Sequence, residues 1–376
     1  MGMGGRRRPV PWWPQAADVP LRALDGRVLT QLSARSRAWT ESLAPRADTG
    51  HGGLVLTGEQ GGRRLRELRA NGFSAPILLD RGAYERAGAR YDSPFEYGDG
   101  LHRVPLAAQL DAQRESGATV ALTPTLFLDG GDIGSLVSVL SSTARLDRDD
   151  TVCLLPLHVG WLRSPHYAAL RQSLGDIRIP TALTFGADRD PFASVEAARR
   201  LRELVEDHPG LCLLRTDLAG FDALTRGAGF TAMGATSGHR HAWIPYTAPT
   251  RRMGRRPPHV FLPELLGWKS GGTLARVFAG TAAPQCSCPT CDGRRIDRFT
   301  GLSEKLAREA ATHALFHRNA LLDQFHYVEP AYRADWWRIV CHDAVAGYRR
   351  WSSRWRSTSE FSPAPSALRF WATSSP

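Results

Sequence analysis

Val152-Cys-Leu-Leu-Pro-Leu-His158, Thr181-Ala-Leu-Thr-Phe185, Leu211-Cys-Leu-Leu-Arg215 and Phe230-Thr-Ala-Met-Gly-Ala235 are four short apolar runs within one stretch of the chain. Each is too short for a globular helix, and a continuous apolar run of this length suits a strand buried on both faces. Between them lie Tyr167–Leu174 and Val195–Glu206, where apolar residues recur at three- and four-residue spacing, the period of a helix with one buried face. Strand, helix, strand, helix argues for parallel strands joined by crossovers.

Toward the amino end the same alternation continues. Val28–Leu32, Leu54–Thr57, Pro76–Leu79 and Val120–Leu128 read as strands, and Gly62–Ala70 and Leu106–Glu115 as helices, while Ala34 to Asp48 is only weakly periodic. Eight strand candidates are the number that closes a (β/α)8 barrel. The rival, an open doubly wound sheet, lacks a phosphate-binding glycine fingerprint after the first strand. The expected fold is therefore α/β, a TIM-type (β/α)8 barrel with a zinc-binding subdomain near the C-terminus. The expected organisation is an N-terminal extension over 1–24, a barrel core over 25–258, a zinc subdomain and closing helix over 259–330, and a C-terminal amphipathic helix and tail over 331–376.

The zinc expectation rests on Cys286-Ser-Cys288-Pro-Thr-Cys291, with His317 following Cys291 by 26 residues. Three thiolates so close together converge on one tetrahedral ion, and a later imidazole fills the fourth position. Four protein ligands leave no open site, which makes the ion structural. His313 lies one turn from His317 on a helix-like stretch, Gly301–Phe325, and is the runner-up ligand. Beyond it, Ala331–Arg356 reads as an amphipathic helix carrying Trp336, Trp337, Tyr348, Trp351 and Trp355 among arginines. Those rings either stack on bases or dock the helix onto the barrel. The last twenty residues, rich in Ser and Pro, read as a frayed tail.

The 376-residue chain is 42% hydrophobic, enough for a sizeable core, and has no 18-residue apolar run. Met1 to Pro14 lacks the apolar centre of a secretory signal. Six cysteines, three of them clustered, suit a reducing cytoplasm better than a disulfide framework. The formal net charge of +11 points to a polyanionic partner. Only Lys269 and Lys305 among the basic residues are lysines, a skew that GC-rich coding also produces. Placement says more: His239-Arg240-His241, Arg251-Arg252 and Arg255-Arg256 form a basic run between two apolar segments, either tracking phosphates or lying in a solvated loop.

A barrel followed by Cys-x-Cys-x2-Cys and a histidine 26 residues later resembles the tRNA-guanine transglycosylase family over roughly residues 25–330. Ile77-Leu-Leu-Asp80-Arg-Gly82 is similar to that family's third-strand region, where an aspartate precedes a glycine-containing turn. The resemblance implies replacement of guanine in nucleic acid by a 7-deazaguanine base through a covalent aspartyl-sugar intermediate. It also implies structural zinc, no membrane, and either a homodimer or a partner protein. The divergence is closer to the branch acting on DNA than to the tRNA enzymes. On this match Asp80 takes the general-base or base-binding position.

The match breaks at the eighth strand, where the family's nucleophilic aspartate meets Phe230-Thr-Ala-Met-Gly-Ala-Thr-Ser237. The replacement must be a carboxylate at another strand end. Asp129, Asp132, Asp188, Asp190 and Asp217 qualify by position, and Asp217, just past strand seven, is the preferred nucleophile with Asp80 as acid–base partner. The other duty for Asp217 is capping the following helix. His158, at the end of strand five, contacts the base, moves a proton, or bonds a neighbouring loop. Ser237, His239, Arg240 and His241 are the candidate phosphate-binding residues at the barrel mouth. Two further readings stay open: a non-catalytic nucleic-acid-binding member of the family, and a small-molecule enzyme reusing the barrel.

Overall fold

The computed structural model describes residues 20–98, 103–245, 256–355, 361 and 363–373. Most of the expected N-terminal extension, and Arg251, Arg252 and Arg255 of the basic run, lie outside the described residues. Eight strands follow one another as β1 (Val28–Ser33), β2 (Leu54–Thr57), β3 (Ile77–Asp80), β4 (Ala121–Leu122), β5 (Thr151–His158), β6 (Thr181–Gly186), β7 (Cys212–Thr216) and β8 (Thr231–Gly234). All pairings among them are parallel, in the order β3-β2-β1-β8-β7-β6-β5-β4. The two ends meet where Thr119 N–H donates to the Ile77 carbonyl at 2.8 Å, giving a nearly closed (β/α)8 barrel. The expected fold class is what the chain adopts.

Alternation along each strand sorts side chains between two cores. Leu29, Val55, Leu78, Leu122, Leu154, Ala182, Leu214 and Ala232 fill the bore. Leu32, Leu54, Leu56, Ile77 and Leu79 face outward and pack under helices α1 (Arg37–Ala47) and α2 (Gly61–Ala70). Fully burying one such aliphatic side chain is worth about 1.5–3 kcal/mol. The crossovers continue as α3 (Leu106–Glu115), α4 (Ile133–Ala144), α5 (His166–Asp176), α6 (Val195–Asp207) and α7 (Ala219–Thr225).

After β8 the chain makes a hairpin of β9 (His259–Leu262) and β10 (Gly267–Ser270), a short helix α8 (Gly271–Val277), the cysteine loop, and the long helix α9 (Glu304–Tyr327). This last helix covers the β1–β8 seam. Arg318 bonds the Thr30 hydroxyl on β1 and the Met233 carbonyl on β8, Asn319 bonds the Arg46 carbonyl, and Ala311 and Leu315 join the α1 core. It therefore stands where the eighth barrel helix belongs, and the hairpin and cysteine loop fall between β8 and that helix.

The C-terminal part is more ordered than its composition suggests. Helix α10 (Arg333–Trp355) buries Trp337, Tyr348 and Trp351, and Trp337 stacks on Phe221 of α7 at 5.6 Å. These rings dock the helix on the barrel. The frayed-tail expectation fails over 363–373, because α11 (Ser366–Thr373) buries Leu368 and Trp371. No helix of the described residues is long and apolar enough to cross a membrane.

Candidate active site and metal centre

Asp80 ends β3 pointing into the barrel, where nothing is left for it to do but hold its neighbours. Its Oδ2 accepts from Gln31 Nε2 at 2.7 Å and from the Tyr84 hydroxyl at 2.7 Å, and its Oδ1 accepts from Gly82 N–H at 2.9 Å. Arg215 Nε stands 3.6 Å away, and the same guanidinium bonds Glu85. Asp80 and Arg215 are each 1% exposed. Arg215 reaches this position through backbone strain. It sits at φ 51°, at a shift of register between β7 and β8, so that both Leu214 and Arg215 turn toward the bore. Burial, against the pull of Arg215, pushes the Tyr84 hydroxyl well above its ordinary value and keeps it a neutral donor.

Asp217 faces another way. With Asp190 from the loop after β6, it lines a cleft of about 420 Å³ outside the bore. The floor is the rim above β6 and β7, and the walls are Trp268 and Leu266 of the hairpin region, Tyr348 of α10, and Leu368 and Trp371 of α11. Asp217 Oδ1 accepts from Trp268 Nε1 at 3.1 Å, and its Oδ2 lies 3.9 Å from Arg240 Nε. It does not cap α7, whose first residues receive no side-chain bond from it. Asp190 accepts from Phe192 N–H at 2.9 Å. The protein surrounding Asp190, and then the charge of Asp217, lift its carboxyl above the ordinary range. The Phe192 N–H bond and the charge of Arg240 act against that lift.

The structure thus separates the two expected catalytic aspartates: Asp80 belongs to the bore, Asp217 to the rim. No hydrogen bond, ion pair or shared cavity joins them among the described residues. His158 follows its quieter reading, with Nδ1 accepting from Gly160 N–H at 3.0 Å, and burial pushes its pKa down. Ser237, Arg240 and His241 do reach the cleft, while His239 bonds the Thr236 hydroxyl at 2.9 Å. Arg240 is held inside: its guanidinium lies 3.4 Å from the Trp268 ring centre, and burial lowers its pKa against the pull of Asp217 and Asp190. Asp132 caps α4, accepting from Ser135 N–H at 3.0 Å. Trp268 is the site residue that sequence reading passed over. Its only sequence mark was a lone tryptophan beside Lys269.

The cysteine cluster is preorganised. Asp292 and Gly293 in left-handed conformation turn the loop back, Cys291 N–H points at Cys288 Sγ at 3.3 Å, and Gly293 N–H donates to the Cys286 carbonyl. His313 Nδ1 lies 3.5 Å from Cys286 Sγ, 3.5 Å from Cys288 Sγ and 3.4 Å from Cys291 Sγ. A tetrahedral zinc with Zn–S of about 2.3 Å and Zn–N of about 2.0 Å sets S···N edges of about 3.5 Å. The donors therefore fit that ion. His313 Nε2 faces the Phe261 carbonyl at 2.8 Å, which places the proton there and leaves the Nδ1 lone pair for a metal. His317 Nε2 reaches Cys286 Sγ alone, at 3.4 Å. Cys286, Cys288, His313 and His317 also stand close enough together to share an ion. Burial pushes the Cys286 thiol up to about 12, so without a cation Cys286 stays a thiol.

No family model matches the chain, and no curated protein matches it. Among solved structures it is similar to the carboxyl transferase domain of Rhizobium etli pyruvate carboxylase. The Y628A form with pyruvate matches at 12% identity and a TM-score of 0.37, over 91% of this chain and 57% of that one. The form with pyruvate and biocytin matches at 12% identity and a TM-score of 0.35, over 94% and 62%. The chain spans less than two thirds of those structures' length.

Proposed function

We propose that this chain is a zinc-stapled barrel that exchanges guanine in nucleic acid, DNA ahead of tRNA, for a 7-deazaguanine base. One observation carries the reading: carboxylates from the ends of neighbouring strands, Asp217 and Asp190, face one aromatic-walled cleft. Glycosidic exchange asks for such a pair, one carboxylate ionised and one kept protonated for longer. Asp190 takes the role that sequence reading gave to Asp80. The target nucleotide leaves its stack and enters the cleft. Asp217, oriented by Trp268, attacks C1′; the C1′–N9 bond breaks, its electron pair stays on N9, and Asp190 delivers the proton. The incoming base returns its N9 proton to Asp190 and attacks C1′, releasing the Asp217 carboxylate. Arg240 and Lys269 give the cleft its cationic side.

Zinc, when bound, supplies no chemistry in this scheme and would pin α9 to the cysteine loop through Cys286, Cys288, Cys291 and His313, which takes the fourth position in preference to His317. Cys288→Ser is expected to impair folding before it impairs exchange. The test of function is nucleoside mass spectrometry on DNA and tRNA from host cells with and without the gene. A modified deoxyguanosine-type nucleoside that disappears with the gene supports the reading, and loss from tRNA redirects the substrate. No change in either pool defeats it. The non-catalytic reading has one observation in its favour: β8 carries no carboxylate and Asp80 is fully engaged. It predicts salt-sensitive duplex binding and no covalent adduct on denaturing gels.

A further inference from the structure

His317 is a spare donor. His313 Nδ1 lies within 3.5 Å of all three thiols, whereas His317 Nε2 reaches Cys286 Sγ alone, at 3.4 Å, with its ring centre 4.6 Å from that of His313. Unlike His313, which is 1% exposed, His317 is only half-buried and lines a surface groove of about 350 Å³ between α9 and α10. The groove is also lined by exposed Asp343, by Glu264, whose Oε2 accepts from Trp351 Nε1 at 2.9 Å, and by Arg350. The donors thus run from open acidic oxygens, through one accessible imidazole, to a buried sulfur–nitrogen cage.

We propose that this groove is the route by which the metal is loaded and exchanged, and that His317 is the transfer ligand. The inference rests on the zinc reading above. A divalent cation held loosely at the carboxylates is taken by His317 Nε2 and passed to Cys286 Sγ, whose thiol proton leaves to water. In the reverse direction His317 binds as a fifth donor while one cage ligand lets go, an expansion that zinc tolerates. Neutral imidazole is the right carrier, because it exchanges ligands without a charge to bury and is the commonest metal donor. A second consequence is that His317 affects how fast the ion moves and not how many ions are held.

The experiment uses the purified holoprotein. It is incubated with isotopically enriched ⁶⁸Zn, and native mass spectrometry follows replacement of the resident ion. His317→Ala is expected to keep one zinc per chain and slow the exchange about tenfold or more, on the scale by which groups around a metal centre tune it. Ala320→Trp, an exposed change one turn along α9 that fills the groove beside His317 and alters no donor residue, is expected to slow exchange as well. His313→Ala is expected to lose the ion. If His317→Ala loses the ion, His317 is a cage ligand and the proposal fails. If both His317→Ala and Ala320→Trp exchange at the wild-type rate, the route lies elsewhere and the proposal again fails. Absence of zinc from wild-type protein would defeat the zinc reading itself, a result distinct from either of these.

Discussion

The barrel bore and the barrel rim each hold an aspartate, an arginine and an aromatic partner, and the two sets are built for opposite ends. In the bore, Asp80, Arg215 and Tyr84 are fully enclosed, and both Asp80 oxygens are bonded. On the rim, Asp217 keeps one bond from Trp268 and a loose 3.9 Å approach to Arg240, and it faces a cleft. A carboxylate bonded at both oxygens and closed off from solvent holds a structure together. One with an oxygen left over, beside a second carboxylate, is able to react.

The largest effect should come from the rim. Asp190→Asn is expected to lower base exchange about 10²–10⁴-fold, the usual contribution of a positioned acid–base group. Asp217→Asn should abolish the covalent adduct on denaturing gels. Both variants should keep wild-type stability within about 1 kcal/mol in urea melts, as exposed or loosely paired charges do. The bore should show the reverse. Asp80→Ala leaves buried Arg215 with Glu85 alone and strips Gln31 and Tyr84 of their shared acceptor, and is expected to cost about 3–5 kcal/mol of stability, read from the same melts. If Asp80→Ala proves stable and inactive, the division between the two regions is mistaken.

Acid should separate the regions next. Burial, and then Arg215, hold His239 below the ordinary imidazole value of 6.5, so the folded state prefers the neutral ring. Its contribution is complete above pH 6.5 and is lost as the pH falls below it, at most about 1.4 kcal/mol per pH unit for one proton. His239→Gln should flatten that acid limb of the stability profile. The carboxyl of Asp190 is raised, so its contribution is present below the ordinary aspartate value of 3.8 and fades as the pH rises through the lifted one. Asp190→Asn should therefore gain on wild type between acid and neutral pH. The smallest change is Trp268→Phe, which removes one hydrogen bond to Asp217. It should cost about 1 kcal/mol in transition-state stabilisation, seen in kcat with stability unchanged.

The strands were legible because a strand buried on both faces writes itself as an uninterrupted apolar run, and β2 falls on Leu54–Thr57 as expected. The fourth run was read as far as Leu128, but regular pairing stops at Leu122, where Thr123 and Pro124 break the ladder before Leu128 rejoins β5 at Leu157. Helix α1 was obscured because its pattern contains Pro45. The tail was misread because Trp371 and Leu368 gain their order from α6 and α10, contacts that composition does not register. In the site, the cysteine loop was legible from spacing alone. The choice of Asp80 over Asp190 was not, because it depends on which strand-end side chains exhaust their bonds, and on a left-handed Arg215 that reverses the local alternation.

Helix α9 covers the seam beside β1 through Arg318 and Thr30, residues 288 positions apart. A chain emerging from the ribosome therefore makes its first barrel strand long before the element that shelters it. That strand's outer face lacks the cover of α9 at Thr30 through synthesis of the other seven strands and the cysteine loop, with Leu32 packed under α1. Its protection against wrong pairing during those seconds must come from α1 and β2 alone.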